Sequence, residues 1–137
     1  MKNLLKLEEL AQFLFCLVVL ILSDEAAWWT YLLLLVGPDI GMLGYLISPQ
    51  AGAFSYNLLH HKGLAVVLIM LGYYSTLLSF FDHLPAINWF GFVVTGIILY
   101  GHASMDRIFG YGLKFGDNFH HTHLGWIGKL KGKEQEK

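Results

Sequence analysis

The chain has 137 residues, of which 55% are hydrophobic and 14% are charged, and its formal net charge is −1. A soluble domain carries roughly 25% charged residues, so the composition favours a single integral membrane domain over a water-soluble one. The near-neutral charge argues against a nucleic-acid partner, and the single cysteine, Cys16, excludes an internal disulfide.

Four apolar segments follow one another, over about residues 4–22, 26–48, 51–78 and 85–112. Each comes close to the roughly 20 residues that a helix needs to cross a bilayer. The second contains Gly37-Pro38-Asp39, and proline removes a backbone donor, which predicts an irregular helix there. The short links favour antiparallel neighbours. The sequence therefore predicts an all-α fold, a four-helix transmembrane bundle with a broken second helix.

The lysines predict how this bundle lies in the membrane. Lys2 and Lys6 precede or open the first segment, and Lys114 and four further lysines follow the last, whereas the links at 23–25 and 79–84 carry no lysine or arginine. By the positive-inside rule both termini are cytoplasmic in a multi-pass protein. We therefore divide the chain into a transmembrane domain, residues 1–114, and a cytoplasmic, His-rich and basic tail, residues 115–137, that packs at the membrane interface.

In this arrangement every helix brings an ionisable group to the cytoplasmic half of the bundle. These groups are Glu8 in the first helix, Asp39 in the second, His60 in the third, and His102 with Asp106 in the fourth. Ionisable side chains are costly in lipid, so they usually face the interior of the protein. We therefore expect Asp39, His60, His102 and Asp106 to converge in one cluster.

A mixed set of histidines and carboxylates favours a divalent metal ion, either zinc, manganese or iron. His102 and Asp106 lie one helical turn apart on one face, which suits a shared ion. His60 and His61 are adjacent and point about 100° apart, so at most one is central, and we favour His60. The alternatives are a capped kink at Asp39 and a histidine at position 60 that only hydrogen-bonds neighbouring helices.

Three residues outside this set are candidates for catalysis. Arg107 suits recognition of phosphate or carboxylate because its fork donates two parallel bonds, although a salt bridge with Glu8 or Asp39 is an equal alternative. Glu8 either marks the helix start or faces inward with Gln12 above it. His123 belongs to a His-rich stretch, together with residues 120 and 121, that is either part of the site or a loose surface cluster.

Several stretches resemble one known family. They are Pro38-Asp39-Ile40-Gly41, Tyr56-Asn57-Leu58-Leu59-His60, Gly101-His102-Ala103-Ser104-Met105-Asp106-Arg107 and Thr122-His123-Leu124-Gly125. Together they resemble a small bacterial family of four-helix integral membrane proteins catalogued as a domain of unknown function, over nearly the whole chain. The resemblance implies the bacterial inner (cytoplasmic) membrane. Lys6-Leu7-Glu8 resembles the family's Arg-Leu-Glu and favours Glu8 over Glu9, whereas His121 replaces an expected Asp and permits a nitrogen ligand.

A weaker resemblance concerns chemistry. Pro-Asp in one helix, His-basic-Gly in the next and His-x-x-x-Asp before Tyr-Gly are similar to membrane-bound metal-dependent hydrolases. This implies hydrolysis of a lipid or lipid-linked substrate, in which Asp39, His60, His102 and Asp106 bind the metal and an anionic group meets Arg107 or Lys62. The chain departs from that pattern, because it lacks a second acidic residue after Asp39 and a Thr-His-Ser after the glycine.

Two other classes of function stay open at this point. Buried Asp, Glu and His side chains also form relays, so a small transporter or a proton/metal conduit is one alternative. The other is a non-catalytic membrane subunit with a structural polar core. The partners predicted from the sequence are membrane lipid and a lipid-linked or anionic substrate, and oligomers are allowed.

Overall fold

A computed structural model describes residues 1–23, 26–82 and 89–128 of the chain. These residues form five α-helices, a 3-10 helix and a two-stranded antiparallel hairpin, which confirms the predicted all-α class. The elements are α1 Lys2–Ile21, α2 Trp28–Val36, the 3-10 helix Gly37–Leu46, α3 Pro49–His60, α4 Lys62–Asp82, α5 Trp89–Phe109, β1 His121–Thr122 and β2 Gly125–Trp126.

The second apolar segment is irregular where the sequence predicts it. α2 ends at Val36, and a 3-10 helix of 10 residues begins at Gly37 with Pro38 in its first turn. So long a 3-10 stretch is uncommon. It packs tightly on α3, since a Cβ atom added at Gly41 would lie 2.8 Å from the carbonyl oxygen of Ser55. The hydroxyl of Ser55 donates to the Gly41 carbonyl at 2.6 Å, and this hydrogen bond stabilises the contact between the 3-10 helix and α3.

The third segment contains a break that the sequence analysis did not predict. α3 starts at Pro49 behind the N-cap Ser48, whose Oγ accepts from the Ala51 amide at 3.1 Å. It ends at His60, because the extended backbone of His61 interrupts the helix, and the chain continues as α4 with a bend of 45°. The prediction of one continuous third helix is therefore wrong. The break lets His60 face α5 while Lys62 faces α1.

α5 is the central helix, and it packs against α1, α2, α3 and α4. Two glycines permit the closest approaches: a Cβ atom at Gly96 would lie 2.6 Å from the Ala65 carbonyl oxygen, and one at Gly101 would lie 2.7 Å from a methyl of Leu34. The buried apolar core around α5 comprises Cys16, Leu20, Leu34, Val93, Val94, Ile97 and Ile98.

The described residues contain one or two candidate membrane spans. Trp28–Leu46, which joins α2 to the 3-10 helix, is long and apolar enough to cross a bilayer. The bent pair Pro49–His60 and Lys62–Ser75 passes the same test if it counts as one span. The structure thus supports five packed helices with one or two such spans, which is a coarser statement than the predicted bundle of four spans.

The segment after α5 folds back onto α3. Gly110, with a φ of +91°, ends the helix in the left-handed region that glycine favours. Asn57 then brackets the backbone of Lys114, accepting from its amide at 2.6 Å and donating to its carbonyl at 2.8 Å. The lysines beyond residue 128 and parts of the links at 24–25 and 83–88 lie outside the described residues, so the orientation of the chain and the tail boundary stay predictions.

Candidate metal centre

Four side chains from three parts of the chain meet beside α5. Asp39 comes from the first turn of the 3-10 helix, His60 is the last residue of α3, and His102 and Asp106 lie on α5. Each offers one ligand atom, and these four atoms all lie within 4.8 Å of one another. The structure therefore brings together the whole set that the sequence predicts as metal ligands.

The cluster is buried on its histidine side and more open at Asp39. The side chains of His60 and His102 are 3% and 0% exposed, whereas those of Asp106 and Asp39 are 14% and 36% exposed. Nε2 of His60 lies 3.3 Å from Oδ2 of Asp106 and 3.6 Å from Oδ1 of Asp39. Nε2 of His102 lies 3.5 Å from the same Asp39 oxygen and 3.8 Å from Oδ1 of Asp106. Each nitrogen thus faces both carboxylates.

The tautomer of each histidine follows from its other ring nitrogen. Nδ1 of His60 lies 2.8 Å from the carbonyl oxygen of Tyr56, and Nδ1 of His102 lies 3.0 Å from that of Leu34. A carbonyl oxygen only accepts, so both Nδ1 atoms must carry the proton. Nε2 of a neutral imidazole then presents a lone pair, and both Nε2 atoms are buried without a hydrogen-bond partner among the described residues.

This geometry fits a bound ion. With both imidazoles neutral, their Nε2 lone pairs and the two carboxylates repel one another, and a cation between them removes that repulsion. Ligand atoms about 2.0–2.2 Å from a tetrahedral ion are separated by roughly 3.4 Å, which is close to the distances from 3.3 to 3.8 Å given above. Metal-bound histidines characteristically donate their second nitrogen to a backbone carbonyl, as both do here. The cluster could therefore hold one divalent ion.

Tyr56 supports two of the four ligands. Its hydroxyl donates to Oδ2 of Asp106 at 2.5 Å, and its ring stacks on the His60 ring at a centroid distance of 3.7 Å. Its carbonyl oxygen also accepts from His60, one turn along α3. Partners that orient ligands in this way typically contribute to metal affinity. Tyr56 is 1% exposed, so its position is set by packing.

A buried lysine lies behind Tyr56. Lys114 is 4% exposed, and its ammonium lies 4.1 Å, 5.1 Å and 5.6 Å from the ring centroids of Phe119, Tyr56 and Tyr111. Its Nζ has no hydrogen-bond partner within the described ranges. Burial lowers the pKa of Lys114, and the carboxylates of Asp106 and Asp39 oppose that shift. Lys114 therefore adds a poorly compensated positive charge to this side of the molecule.

A second polar cluster, here called the ion cluster, lies between α1, α4 and α5 and consists of Glu9, Gln12, Lys62, Tyr100, Ser104 and Arg107. Lys62 pairs with Oε2 of Glu9, and Arg107 reaches Oε1 of Glu9 at 3.4 Å. Gln12 Oε1 accepts from Lys62 at 2.5 Å, and the hydroxyls of Tyr100 and Ser104 lie 3.1 and 3.5 Å from the same oxygen. The cluster thus ties three helices together.

A shallow surface depression, partly open to solvent and without enclosed room for a water molecule, adjoins the metal centre. Its wall includes His60 and Asp106 from the centre, Arg107 from the ion cluster, and Tyr111 from the segment after α5. Arg107 is therefore the charged side chain that links the two clusters at this surface. The catalytic role predicted for Arg107 stays a prediction, with a position beside the ligands in its favour.

The structure does not bring Glu8 or His123 to the centre. Glu8 is exposed and accepts from Gln12 at 3.3 Å, whereas its neighbour Glu9 enters the ion cluster. The ring of His123 is committed to the backbone, because its Nδ1 accepts from the Leu113 amide at 2.8 Å. Burial, with a contribution from Arg107, lowers the pKa of His123. Their catalytic roles stay predictions without support from this geometry.

The remaining histidines also lie apart from the centre. His61 is exposed, and its Nδ1 accepts from the Leu64 amide at 3.3 Å. The sequence permits a nitrogen ligand at position 121. In the structure, His121 pairs instead with Asp117 at 2.7 Å and stacks on Trp126. Its hydrogen bond lowers the pKa of the Asp117 carboxyl.

Glu9 and Lys114 were not predicted from the sequence. Glu9 differs from Glu8 only by about 100° around α1, and the resemblance of Lys6-Leu7-Glu8 to the family's Arg-Leu-Glu favoured Glu8. Lys114 was counted as one of the lysines that orient the chain, but its side chain is buried in an aromatic cage. The flanking Tyr111, Phe115 and Phe119 were the available signal, since aromatic faces bind cations.

Comparison with known proteins places the chain in a family without assigning it an activity. No curated protein and no solved structure matches the chain. Residues 2–127, which include all four clustered ligands, match a family described as a domain of unknown function, DUF4260. This agrees with the resemblance to such a family that the motifs carry. The chain belongs to the DUF4260 family.

Proposed function

We propose that this protein binds one divalent metal ion through Asp39, His60, His102 and Asp106 and uses it to hydrolyse a lipid or lipid-linked substrate at the membrane. The observation that carries the proposal is the pair of buried Nε2 atoms, which lack hydrogen-bond partners among the described residues and face two carboxylates. A packing cluster would pair these groups directly, because unsatisfied buried nitrogens are costly.

The mixed donor set leaves room for substrate. Two imidazoles and two carboxylates suit zinc, manganese or iron, and Asp39, His60, His102 and Asp106 would hold the ion. Asp39, whose side chain is 36% exposed, lies on the more open side of the centre, from which a substrate would approach. When bound, such an ion would supply an activated water for hydrolysis of an ester, a reaction in which water gives its hydroxyl to the acyl or phosphoryl group and its proton to the alcohol.

The membrane part of the proposal is supported by the outer surface of the helices. Large apolar side chains point outward along several helices, as for Phe15 at 68%, Leu32 at 53% and Val67 at 51% exposure. Apolar surface of this extent is unfavourable in water and is usual for a protein–lipid boundary. Together with the candidate spans and the four apolar segments, it supports a multi-pass protein of the bacterial inner membrane with a site open to the cytoplasm.

The deciding experiment is elemental analysis of the full chain purified in detergent. We expect about one zinc, manganese or iron per chain, and we expect Asp106→Asn to lose it, because the amide keeps the shape of the carboxylate but removes its charge. His61→Gln is the matched control, since His61 is the exposed neighbour of a proposed ligand. If the wild-type protein holds no stoichiometric metal after reloading, the metal site is refuted, and the cluster then only stabilises the packing of the helices.

Activity is tested separately on the metal-loaded protein. Lipid esters and lipid phosphate esters in mixed micelles should be cleaved by the wild type, should resist cleavage after chelation, and should be cleaved again when the metal is restored. The Asp106→Asn variant should stay inactive under all three conditions. A protein that keeps its metal but cleaves none of these esters would refute the hydrolase and retain the metal site.

Topology is tested by reporter fusions. A fusion after Lys137 should report the cytoplasm, and an insertion in the link at residues 23–25 should report the opposite side, because the lysines lie at the two termini. Reporters on the same side would contradict the four-span arrangement without affecting the metal site.

A further inference from the structure

We infer that a phosphate-type anion binds at the protein surface over the depression beside the metal centre, with Arg107 as the residue that recognises it. This inference rests on the proposed function and names its substrate class. Arg107 lies on the wall of the depression, and the described residues engage one of its nitrogens. A bound divalent ion would neutralise the two carboxylates, Asp39 and Asp106, so the centre itself would carry no net charge.

Arg107 is the less firmly paired cation of the ion cluster. Glu9, which is 17% exposed, faces two cations, Lys62 and Arg107. Lys62 makes the shorter contact with Glu9 and also donates to Gln12, and Glu8 adds a second carboxylate on the Lys62 side through its bond to Gln12. Arg107 has one longer contact among the described residues, 3.4 Å from Nη1 to the other Glu9 oxygen. Arg107 is therefore the cation of the cluster that is open to a further anion.

Most donors of Arg107 are also unused. A guanidinium has five N–H donors in a planar fork, and the part of the chain that the structure describes engages one nitrogen of Arg107. Its side chain is 19% exposed and forms part of the wall of the depression, next to Asp106 and His60. A fork of this kind matches the paired oxygens of a phosphate group. Arg107 therefore offers both charge and geometry at the mouth of the metal centre.

Lys114 is a second loosely paired cation near the depression. The residue is 4% exposed, and its ammonium lies among aromatic rings without a hydrogen-bond partner in the described ranges. Two of those rings, Tyr56 and Tyr111, also form part of the wall of the depression. An uncompensated buried charge is costly unless an opposite charge approaches it. With Arg107 and Lys114 both weakly paired beside the centre, a phosphate ester is the complementary ligand.

The test measures binding of inorganic phosphate to the metal-loaded full chain in detergent. Arg107→Gln should weaken the apparent affinity by about tenfold to a hundredfold, because it removes a charge-assisted hydrogen bond. Glu9→Gln should instead strengthen phosphate binding severalfold, because it frees Arg107 from the one carboxylate that it contacts among the described residues. Lys6→Gln, which removes an exposed lysine of α1 away from the depression, should leave the affinity unchanged.

A short-chain phosphatidic acid forms the second arm of this test. Binding equal to that of inorganic phosphate assigns recognition to the phosphate alone, and tighter binding that still depends on Arg107 assigns it to a lipid headgroup. Both results support the inference. If phosphate binding is absent, or if neither Arg107→Gln nor Glu9→Gln changes it, the inference is overturned.

The two proposals fail in different ways. Metal content is measured on every sample. A wild-type protein without metal refutes the proposed function. A metal-loaded protein whose phosphate affinity is unchanged by Arg107→Gln refutes only this inference. If Arg107→Gln does not fold, the tightening expected for Glu9→Gln decides by itself, since unchanged or weaker binding in that variant contradicts the charge argument.

Discussion

The two polar faces of α5 carry similar residue types but make different kinds of contact. His102 and Asp106 lie on one face and meet Asp39 and His60 from the 3-10 helix and α3. Tyr100, Ser104 and Arg107 follow helical spacing along another face and meet α1 and α4. One helix therefore carries the candidate metal centre on one face and a part of the ion cluster on the other.

The two faces differ in whether their polar atoms satisfy one another. In the ion cluster, both oxygens of Glu9 have cationic partners, and Gln12 Oε1 faces three donors. At the metal centre, two buried nitrogens have no hydrogen-bond partner among the described residues and face the same carboxylates. Groups that hold helices together donate to and accept from each other, whereas groups that bind a ligand converge on a point between them.

The largest effect is expected for His102→Gln. The glutamine amide can still donate to the Leu34 carbonyl, but it does not present the imidazole lone pair to the centre. Metal affinity, measured by competition with a chelating dye, should fall roughly a hundredfold or more, because a ligand contributes at least as much as the residues that orient it. His61→Gln should match the wild type. Full metal affinity in His102→Gln would remove the distinction between the two faces.

Tyr56→Phe tests how the carboxylate of Asp106 is positioned at the metal centre. The change removes the hydroxyl that donates to Asp106 at 2.5 Å but keeps the ring that stacks on His60. Metal affinity should fall by about 10- to 100-fold, the usual cost of losing a residue that orients a ligand. The same dye competition measures it, with elemental analysis as the check on stoichiometry. An unchanged affinity would mean that packing alone positions the carboxylate of Asp106.

Lys62→Met tests the ion cluster. The apolar side chain leaves Glu9 with Arg107 alone and deprives Gln12 of one donor. Metal content should be unchanged, while the free energy of unfolding should fall by about 1–3 kcal/mol, the cost of leaving a partly buried polar group unsatisfied. Thermal unfolding in detergent, with and without metal, separates the two readouts. Loss of metal in Lys62→Met would show that both faces form one functional unit.

The smallest effect is expected for Lys114→Met. The substitution removes a cation behind Tyr56 and replaces it with a thioether that packs well against aromatic rings. Because like charges repel, metal affinity should rise by about twofold to tenfold, the reverse of the change expected for Tyr56→Phe. Lys114→Arg, which keeps the charge, is the control. Weaker metal binding in Lys114→Met would assign the lysine a supporting role in packing.

The sequence by itself determined the helical class, the irregularity at Gly37-Pro38 and the four residues of the candidate metal centre. These features depend on local sequence. The length of an apolar segment predicts a helix, and proline removes a backbone donor wherever it occurs. An ionisable residue in an apolar segment must have a polar partner. The placement of an ionisable group from every helix in the cytoplasmic half adds one long-range constraint, which is enough to group Asp39, His60, His102 and Asp106.

The tertiary structure alone decided the break at His61, the entry of Glu9 rather than Glu8 into the ion cluster, and the burial of Lys114 in its aromatic cage. It also decided the tautomers of His60 and His102, through carbonyl groups that lie on α3 and α2. Each of these depends on which side chains meet across helices. Residues one position apart on a helix differ by about 100° in direction, and only the packing of neighbouring helices selects the direction that is buried.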